Sequence, residues 1–467
     1  MKLKINLKLT ALFLLMFYLS SPEMLSQSIS AGKYHSLAVC SSGTVWSWGY
    51  NFSGQLGNGN NSSSNVPVQV SSISGVTAIA GGEYHSIALK SDGTVWTWGY
   101  NLVGQLGNGT NTNTNFPVQA SGLSGMVAVA GGEYHSFALK NDGMVWTWGD
   151  NSFGQLGNGT FTGSNIPVQV SNLTGVIAIA RAWDHCIALR NDSTVWTWGI
   201  NGDGQLGNGS SGNSNVPVQV INLSGIVAIA GGGQHSLALK QDGTLWSWGF
   251  NLYGQLGDGT NNTSNVPVQV SNLTGVIAIA GGGLHSLAVK NDSTLWAWGS
   301  NGSGQFGNGN NFNSNVPVQA GTISGAIAAA GGGGHSIILK QNDTVWDFGA
   351  NNYGQLGNGN TMDSNIPEQV IGLCSIITSS PENKYSESGI NIFPNPAINL
   401  LAISSGQRAI DEIGIFDMMG KKVFQETLSA DETINLFRID VNGFPSGLYV
   451  LRIISEKNIQ NFKLIKN

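Results

Sequence analysis

Histidine is the side chain in this sequence with the clearest capacity for chemistry, and its copies are evenly spaced. The chain has seven histidines, and each follows the previous one by fifty residues: His35, His85, His135, His185, His235, His285 and His335. An imidazole can bind a metal ion or act as a general base. Serine follows six of the seven, and a serine beside a base is a common nucleophile. The imidazoles could therefore form a chemical ring or mark a structural repeat.

The histidines belong to a repeat that runs from about residue 28 to residue 377. Such a period fixes the architecture. Each repeat contains four candidate strands, which in the second repeat are residues 76–80, 85–89, 94–98 and 116–120. The pair Asp92-Gly93 predicts a tight hairpin turn between the second and third strands. Four strands per repeat are typical of a propeller blade, and end repeats without polar caps indicate a closed ring.

The ring needs a closing element, and two terminal segments match the same position of the repeat. These are residues 28–30 and residues 376–378. We expect one of them to complete the last blade, because the remaining strands of that blade come from the seventh repeat.

Placed on blades, the histidines are too far apart for shared chemistry. Adjacent blades pack like stacked sheets, about 10 Å apart, whereas zinc–nitrogen bonds are about 2 Å long. The serine after each histidine points to the opposite face of its strand, which excludes a His–Ser dyad there. We therefore expect no metal site and no catalytic residue, and we expect each histidine to be hydrogen-bonded inside its blade. Thirteen of the fourteen tryptophans recur with the repeat, which predicts an aromatic layer between blades.

Composition and charge exclude several classes of function. The formal net charge is −6 and the sequence pI is about 5.6, without the clustered basic face that nucleic-acid binding requires. Cys40, Cys186 and Cys374 are far apart in the sequence, so we expect neither a metal-type pair nor a disulfide framework. Residues 202–207 and 302–307 spell a dinucleotide fingerprint, but no helix follows them. No cofactor is expected.

The two ends of the chain differ from the repeats. Lysines at positions 2, 4 and 8 precede an apolar run at residues 9–19, which is the order of a secretory signal over residues 1–27. No other stretch approaches the roughly twenty apolar residues of a membrane span, so we expect a mature chain without one. Residues 378–389 are typical of a polar linker. Residues 390–467 contain about seven short apolar segments, which predict a small β-sandwich.

The repeat motifs resemble those of the regulator of chromosome condensation family. In the second repeat they read Gly-Glu-Tyr-His-Ser-Ile-Ala-Leu at 82–89, Asp-Gly-Thr-Val-Trp-Thr-Trp-Gly-Tyr-Asn at 92–101 and Gly-Gln-Leu-Gly-Asn-Gly at 104–109. The resemblance covers about 350 residues and implies a seven-bladed β-propeller. The family's eukaryotic founder is a guanine-nucleotide exchange factor. We do not expect that activity in an exported chain, because activity does not follow from fold.

The C-terminal region resembles the sorting domain of bacterial type IX secretion. Its motifs include Ile-Phe-Pro-Asn-Pro-Ala at 392–397, Gly-Leu-Tyr-Val-Leu at 447–451 and Phe-Lys-Leu-Ile-Lys at 462–466. The resemblance implies an origin in Bacteroidota, recognition by the outer-membrane translocon, and a protein that is secreted or attached to the cell surface. The alternative is an accessory sandwich with a binding role of its own.

The expected function is non-catalytic binding of an extracellular protein or glycan. The alternative is a secreted hydrolase or an enzyme inhibitor on the same scaffold. A hydrolase needs convergent catalytic groups, whereas the acids here mostly lie at hairpin turns, such as Asp92, Asp142 and Asp242.

The binding site is predicted where the repeats differ, in the loop before each histidine and therefore on one rim of the ring. Repeats one to four carry large groups there, whereas repeats five to seven are mostly bare. The candidates are Tyr34, Glu83, Tyr84, Glu133, Tyr134, Trp183 and Asp184, together with Arg181, which replaces a glycine found in five other repeats. Tyrosine, tryptophan and arginine dominate interface energetics. The alternatives are drift in a tolerant loop or a site on the opposite rim, where we expect the long loops near Phe161 and Phe312.

Overall fold

The structure is a computed structural model that describes residues 28–321, 323–374, 391–393, 400–404, 410–417, 421–428, 437–441, 443–445, 447–455 and 458–466. The chain divides into two compact units, with the repeats in Pro22–Thr378 and a C-terminal unit that includes Ser379–Asn467. The predicted signal at residues 1–27, the predicted linker at 378–389 and the candidate closing segment at 376–378 lie outside the described residues.

The repeats fold into seven four-stranded antiparallel sheets, and the strands of each sheet follow one another in the sequence. The innermost strands are β1 Ile29–Ala31, β5 Val76–Gly81, β9 Met126–Gly131, β13 Val176–Ala180, β17 Ile226–Gly231, β21 Val276–Gly281 and β25 Ala326–Gly331. The histidine strands are β2 His35–Val39, β6 His85–Lys90, β10 His135–Lys140, β14 His185–Arg190, β18 His235–Lys240, β22 His285–Lys290 and β26 His335–Lys340.

Two further strands complete each blade. The tryptophan strands are β3 Val45–Gly49, β7 Val95–Gly99, β11 Val145–Gly149, β15 Val195–Gly199, β19 Leu245–Gly249, β23 Leu295–Gly299 and β27 Val345–Gly349. The outer strands are β4 Ser64–Gln69, β8 Thr114–Gln119, β12 Ser164–Gln169, β16 Ser214–Gln219, β20 Ser264–Gln269, β24 Ser314–Gln319 and β28 Ser364–Gln369. The prediction of an all-β, seven-bladed propeller is confirmed, and the strands predicted in the second repeat agree within two residues.

The hairpin between the histidine strand and the tryptophan strand forms as the sequence predicts. In the second blade, the Asp92 carboxylate accepts hydrogen bonds from the amide of Thr94 (3.0 Å) and from its hydroxyl (2.6 Å). Gly93 has a φ of 76°, in the left-handed region that glycine adopts without strain. The turn sets the register in which Leu89 faces Val95.

The core of the propeller lies between blades. Trp98 of the second blade is fully buried, and it packs with Leu37 and Val39 of the first blade. Its indole nitrogen donates to the carbonyl of Gln55, also of the first blade, at 2.9 Å. The predicted aromatic layer is therefore confirmed for the second tryptophan of each pair. The first is half-buried, as at Trp96, which lies beneath the ammonium of Lys90 at 5.7 Å.

Closure of the ring differs from the prediction. Strand β1 pairs with β2 and completes the first blade, and all four strands of the last blade come from the seventh repeat. The first and last blades share no strand among the described residues and meet through packing, in which Ile29 and Trp48 join Ile337 and Leu339.

A disulfide bond connects the first and last blades, which no continuous segment of the described chain joins directly. It joins Cys40, at the end of β2, to Cys374, which follows β28, across 334 residues of sequence. The prediction of no disulfide was wrong, because ring closure brings together segments that are distant in sequence. Cys186 is buried and unpaired.

The C-terminal unit consists of two antiparallel sheets around one core. Its strands are β29 Asn391–Phe393, β30 Leu400–Ser404, β31 Glu412–Asp417, β32 Lys422–Thr427, β33 Phe437–Asp440, β34 Gly447–Ser455 and β35 Asn458–Lys466. The sheet orders are β29-β30-β33 and β32-β31-β34-β35. Leu401 and Ile439 of the first sheet share a buried core with Ile413 and Leu451 of the second, as a small sandwich requires. The described residues include no helix that is long and apolar enough to cross a membrane.

Candidate binding rim

Two loops of every blade meet on one rim of the propeller. His85 pairs with Gly99, and Gly99 pairs with Thr114, so the loop before the histidine and the long loop after β7 reach the same edge. We call this edge the front rim; it consists of residues 32–34 and 50–63 and their equivalents in the other blades. The back rim consists of residues 40–44 and 70–75 and their equivalents.

The pairing corrects one expectation from the sequence. Phe161 lies in the long loop between β11 and β12, and His135 and Ser164 both pair with Gly149. Phe161 is therefore on the front rim, and so is Phe312 in the equivalent loop of the sixth blade. The long loops do not offer a site on the opposite rim.

An arc of aromatic rings covers part of the front rim. Neighbouring rings lie 4.8–6.4 Å apart between centroids, and the arc consists of Tyr353, Tyr34, Tyr50, Phe52, Tyr84, Tyr100 and Tyr134. We call it the aromatic arc. It extends from the seventh blade through the first and second to the third. Phe52 is 65% exposed and Tyr353 is 38% exposed.

Sequence reasoning found three members of the aromatic arc, Tyr34, Tyr84 and Tyr134, and missed the other four. A signal for two of them was present in the hairpin register. His85 faces Gly99, so the residues just outside this pair, Tyr84 and Tyr100, must be neighbours. The amide of Tyr100 indeed donates to the carbonyl of Tyr84 at 2.9 Å.

Charged side chains gather at the centre of the front rim, next to the aromatic arc. We call Lys33, Glu83, Glu133, Trp183 and Asp184 the axial cluster. The ammonium of Lys33 forms a salt bridge with Glu83 and lies 4.0 Å from Glu133. It also lies 4.9 Å from the centre of the Trp183 ring. The structure therefore brings together Lys33, Glu83, Glu133 and Trp183 from four different blades.

Burial perturbs the acids of the axial cluster. Glu83 is 2% exposed, and its burial and the neighbouring Glu133 carboxyl raise the pKa of Glu83 to about 7, although Lys33 opposes the shift. Burial also raises the pKa of Glu133 and of Asp184. Three carboxyl groups close together cannot all be ionised cheaply when few cations neutralise them.

Trp183 rests on bare backbone. A Cβ atom added to Gly233 would lie 2.9 Å from the indole ring, and one added to Gly283 would lie 3.0 Å from it. The glycines of the fifth and sixth blades thus make room for the one tryptophan outside the repeated pattern. The bare positions in blades five and six have this physical basis.

Arg181 lies below the rim, in the central channel. Its guanidinium reaches from the fourth blade across the channel and donates to the carbonyl of Ala31 and to that of Gly331, the latter at 3.2 Å. Burial lowers the pKa of Arg181 to about 10. The channel is a cavity of about 160 Å³ lined by residues such as Ile79, Val129 and Ile179. Arg181 was predicted on the rim with the other candidates, but its donors are directed at carbonyls inside the channel.

The seven histidines are scaffold groups, with one correction to the prediction. The Nε2 atom of each histidine bonds to the next blade and not within its own, as His35 does with Ser86 (2.9 Å) and His335 with Ser36 (2.9 Å). The sequence argument compared faces within one strand, whereas opposite faces of neighbouring blades meet. The serine extends the hydrogen-bond chain, since the Ser86 hydroxyl donates to the Gln55 carbonyl at 2.8 Å.

The His–Ser pairs are inaccessible. All seven histidines are 0% exposed, and burial lowers their pKa values, to about 3 for His235. A carboxyl group joins one pair where blades seven and one meet, because Ser36 also lies 3.4 Å from Asp347. Burial strongly raises the pKa of Asp347. Within the described residues no group of three His, Cys, Asp or Glu side chains is arranged to hold a metal ion.

These features define a class of protein, a closed seven-bladed β-propeller assembled from fifty-residue repeats. Residues 120–382 match the family model of the RCC1-like domain, so the chain belongs to that family. Two models of the regulator of chromosome condensation (RCC1) repeat match residues 42–89 and 92–139, and residues 27–55 and 76–105. Residues 391–467 match the secretion system C-terminal sorting domain.

Solved structures support the same fold. Human WBSCR16 is 24% identical, with a TM-score of 0.63 over 70% of this chain and 93% of that one. Yeast RCC1 (Prp20), solved bound to Kap60, is 21% identical, with a TM-score of 0.64 over 80% of this chain and 89% of that one. A second structure of Prp20p from Saccharomyces cerevisiae, also at 21% identity, has a TM-score of 0.64. At these identities the likeness concerns the fold alone.

Proposed function

We propose that this protein is an exported, non-catalytic binding propeller whose aromatic arc contacts an extracellular protein or glycan. The observation that carries the proposal is the arc itself, seven rings from four consecutive blades on one rim. Exposed apolar clusters of this kind on a folded protein mark interaction sites. Tyrosine rings suit both classes of ligand, because they anchor protein interfaces and also present apolar faces to sugars.

Neighbouring side chains enlarge the apolar surface around the aromatic arc. Leu102 is 58% exposed and Phe153 is 36% exposed, and both follow a tryptophan strand on the front rim. The fourth and sixth blades carry Gly202 and Gly302 at the position of Leu102. The fifth blade carries Leu252 there, 63% exposed, so single apolar side chains occur around the whole front rim. The contiguous set of seven rings, however, lies in blades seven, one, two and three.

The match to a sorting domain supports export, and the disulfide between Cys40 and Cys374 suits an oxidising compartment. We propose the type IX route, after signal-directed passage to the periplasm, with recognition of the C-terminal region. Cys374 follows the last outer strand of the propeller and is joined to Cys40 at the back rim.

The binding proposal is tested with the full chain as bait on extracellular protein extracts and on a glycan array. The double substitution Phe52→Ala with Tyr100→Ala should reduce ligand capture at least tenfold with little change in Tm. The matched control is Phe312→Ala, because Phe312 is 79% exposed on the same rim outside the arc. Equal capture by the double variant and the parent would contradict the proposal, and turnover of an array ligand would favour the hydrolase alternative.

The export proposal has a separate test in the native host. Deletion of residues 391–467 should retain the propeller inside the cell, where an immunoblot of cells and medium detects it. Export of the shortened chain at the normal level would contradict a sorting role for this region.

A further inference from the structure

The two rims of the propeller differ in charge. The front rim carries seven carboxyl groups, on Glu83, Glu133, Asp150, Asp184, Asp203, Asp258 and Asp363. The cations of the described propeller on this side of the ring are Lys33 on the rim and Arg181 below it. The back rim is balanced, with six cations, one in each of blades two to seven, and six aspartates at the hairpin turns. Four of the six cations form salt bridges with those aspartates.

The axial cluster contains one cation, Lys33, for its three carboxyl groups. Glu83 is 2% exposed, and its Oε2 atom has no hydrogen-bond partner among the described residues. A buried carboxyl oxygen without a partner is costly, and a donor supplied by a ligand would remove that cost. Glu133 and Asp184 are partly exposed beside it.

Lys33 demonstrates which chemical group this surface accepts. Its ammonium is held by the Glu83 carboxylate and by the faces of Trp183 (4.9 Å) and Tyr34 (5.6 Å). Carboxylates together with aromatic faces form a recognition site for alkylammonium and guanidinium groups. The ring centroids of Tyr34 and Tyr84 lie 5.8 Å apart, and those of Tyr84 and Tyr134 lie 6.4 Å apart. These rings continue the aromatic surface along the rim, away from Lys33.

We infer that the front rim binds a polypeptide segment rich in lysine or arginine, whose cationic side chains lie on the aromatic arc and pair with Glu133, Asp184 and Glu83. This inference rests on the proposed binding function and names the partner chemistry for the same rim. Charge complementarity between an acidic rim and a basic segment also speeds association, and salt weakens it. A neutral glycan would gain nothing from the excess of carboxylates.

The test uses the full chain and two synthetic probes, a peptide of alternating glycine and lysine and the same peptide with glutamate in place of lysine. Isothermal titration at low salt should show binding of the lysine peptide alone, with at least tenfold weaker binding at 0.3 M salt. The double substitution Glu133→Gln with Asp184→Asn should weaken this binding at least tenfold. If that double variant has a lowered Tm, Glu133→Gln alone should still weaken binding threefold or more.

A matched control separates a specific site from general attraction to an acidic protein. Asp142→Asn with Asp192→Asn changes the net charge equally, but on the back rim, where these groups pair with Lys140 and Arg190. Its affinity for the lysine peptide should change less than twofold. Equal loss in the front-rim and back-rim variants would overturn the inference, because attraction would then depend on net charge alone.

The inference and the proposed function can fail separately. The lysine peptide should lose at least fivefold in affinity in the Phe52→Ala, Tyr100→Ala variant. If the peptide does not bind, while a ligand captured from the extracts or the array still requires the aromatic arc, the inference is overturned and the binding function stands. If capture too is independent of the arc, both are overturned.

Discussion

The junction between the seventh and first blades, which we call the seam, differs from the other six junctions although all seven share the histidine bond. His335 bonds to Ser36 at 2.9 Å across the seam, as His235 bonds to Ser286 at 2.8 Å within the continuous chain. The seam also contains a disulfide and the buried Asp347, and the indole nitrogen of Trp48 lies near that carboxyl instead of donating to a Gln carbonyl.

The difference shows what chain continuity contributes to a ring of repeats. At six junctions the outer strand of one blade leads directly into the inner strand of the next, so the two blades stay close even when their contacts break. At the seam nothing but packing and hydrogen bonds would hold the blades, and separating them exposes both faces. The Cys40–Cys374 bond supplies the missing covalent connection.

The largest expected effect is acid unfolding, which tests the feature that the seam and the other junctions share. Burial lowers the pKa of the histidines from 6.5 in the unfolded chain, for example to about 3 for His85 and to about 4 for His285. The unfolded state therefore binds more protons below about pH 6.5, and stability present above that pH is lost as the pH falls. Each histidine lowers the free energy of unfolding by about 1.4 kcal/mol per pH unit between its unfolded-state pKa and its folded-state pKa.

Urea unfolding at pH 7.5, 6 and 5 measures this loss. The slope of the free energy of unfolding against pH should correspond to the uptake of several protons on unfolding. His235→Gln should reduce that number by about one proton. A midpoint that does not change between pH 7 and pH 5 would contradict the assignment of buried, neutral imidazoles.

The next largest effect concerns the covalent clip of the seam. Cys40→Ser with Cys374→Ser should lower the free energy of unfolding by on the order of 5 kcal/mol, because the bond closes a loop of 334 residues in the unfolded chain. The control is Cys186→Ser, which restores the serine of the other repeats and keeps a bond to His135. Chemical denaturation should show a large loss in the first variant and a change below about 1 kcal/mol in the second.

A tryptophan pair sharpens the comparison. The Trp248 indole nitrogen donates to the Gln205 carbonyl at 2.9 Å, whereas Trp48 at the seam makes no such bond. Trp248→Phe should therefore cost about 1 kcal/mol more than Trp48→Phe. Phe348 occupies the equivalent position in the seventh blade and is fully buried, so the smaller ring fits the fold. Equal losses in the two variants would show that the indole hydrogen bond does not distinguish the junctions.

The smallest effect concerns the buried acid of the seam. Asp347→Thr should stabilise the protein by about 1 kcal/mol at pH 7.5, since blades two, three and four carry threonine here and its hydroxyl donates to a carbonyl, as Thr97 does to Leu106. Burial raises the pKa of Asp347, so the carboxyl lowers stability increasingly as the pH rises above the ordinary pKa of an aspartate in the unfolded chain. The gain should shrink at pH 5. Thermal melting at both pH values checks it, and a gain independent of pH would contradict a titrating carboxyl.

The repeat made the ring predictable, and the places where prediction failed are those where different repeats meet. The period and the Asp-Gly turns were enough to give the strands within two residues, because they are local features. The partner of His35 is in the next repeat, and the partner of Cys40 is 334 residues away. Neither can be deduced from one strand considered alone.

The candidate rim was predictable to a similar extent. Differences among repeats indicated Tyr34, Tyr84 and Tyr134, since a residue that departs from a repeated pattern is easy to see. Tyr353 and Phe52 were missed because they lie in a loop that varies in every repeat. The contact of Tyr353 with Tyr34 joins blades seven and one and therefore depends on the closed ring, whereas Phe52 contacts Tyr50 within the first blade. The direction of Arg181 into the channel likewise depends on carbonyls of blades one and seven.

The reach of Arg181 has a consequence for the number of blades. Each repeat forms a complete four-stranded blade, so a gain or loss of one repeat would still leave well-formed blades. A ring of eight would be wider, and a guanidinium fixed in the fourth blade would no longer span it to the carbonyls of Ala31 and Gly331. The hydrogen bonds of this one arginine thus fit the width of a seven-bladed ring.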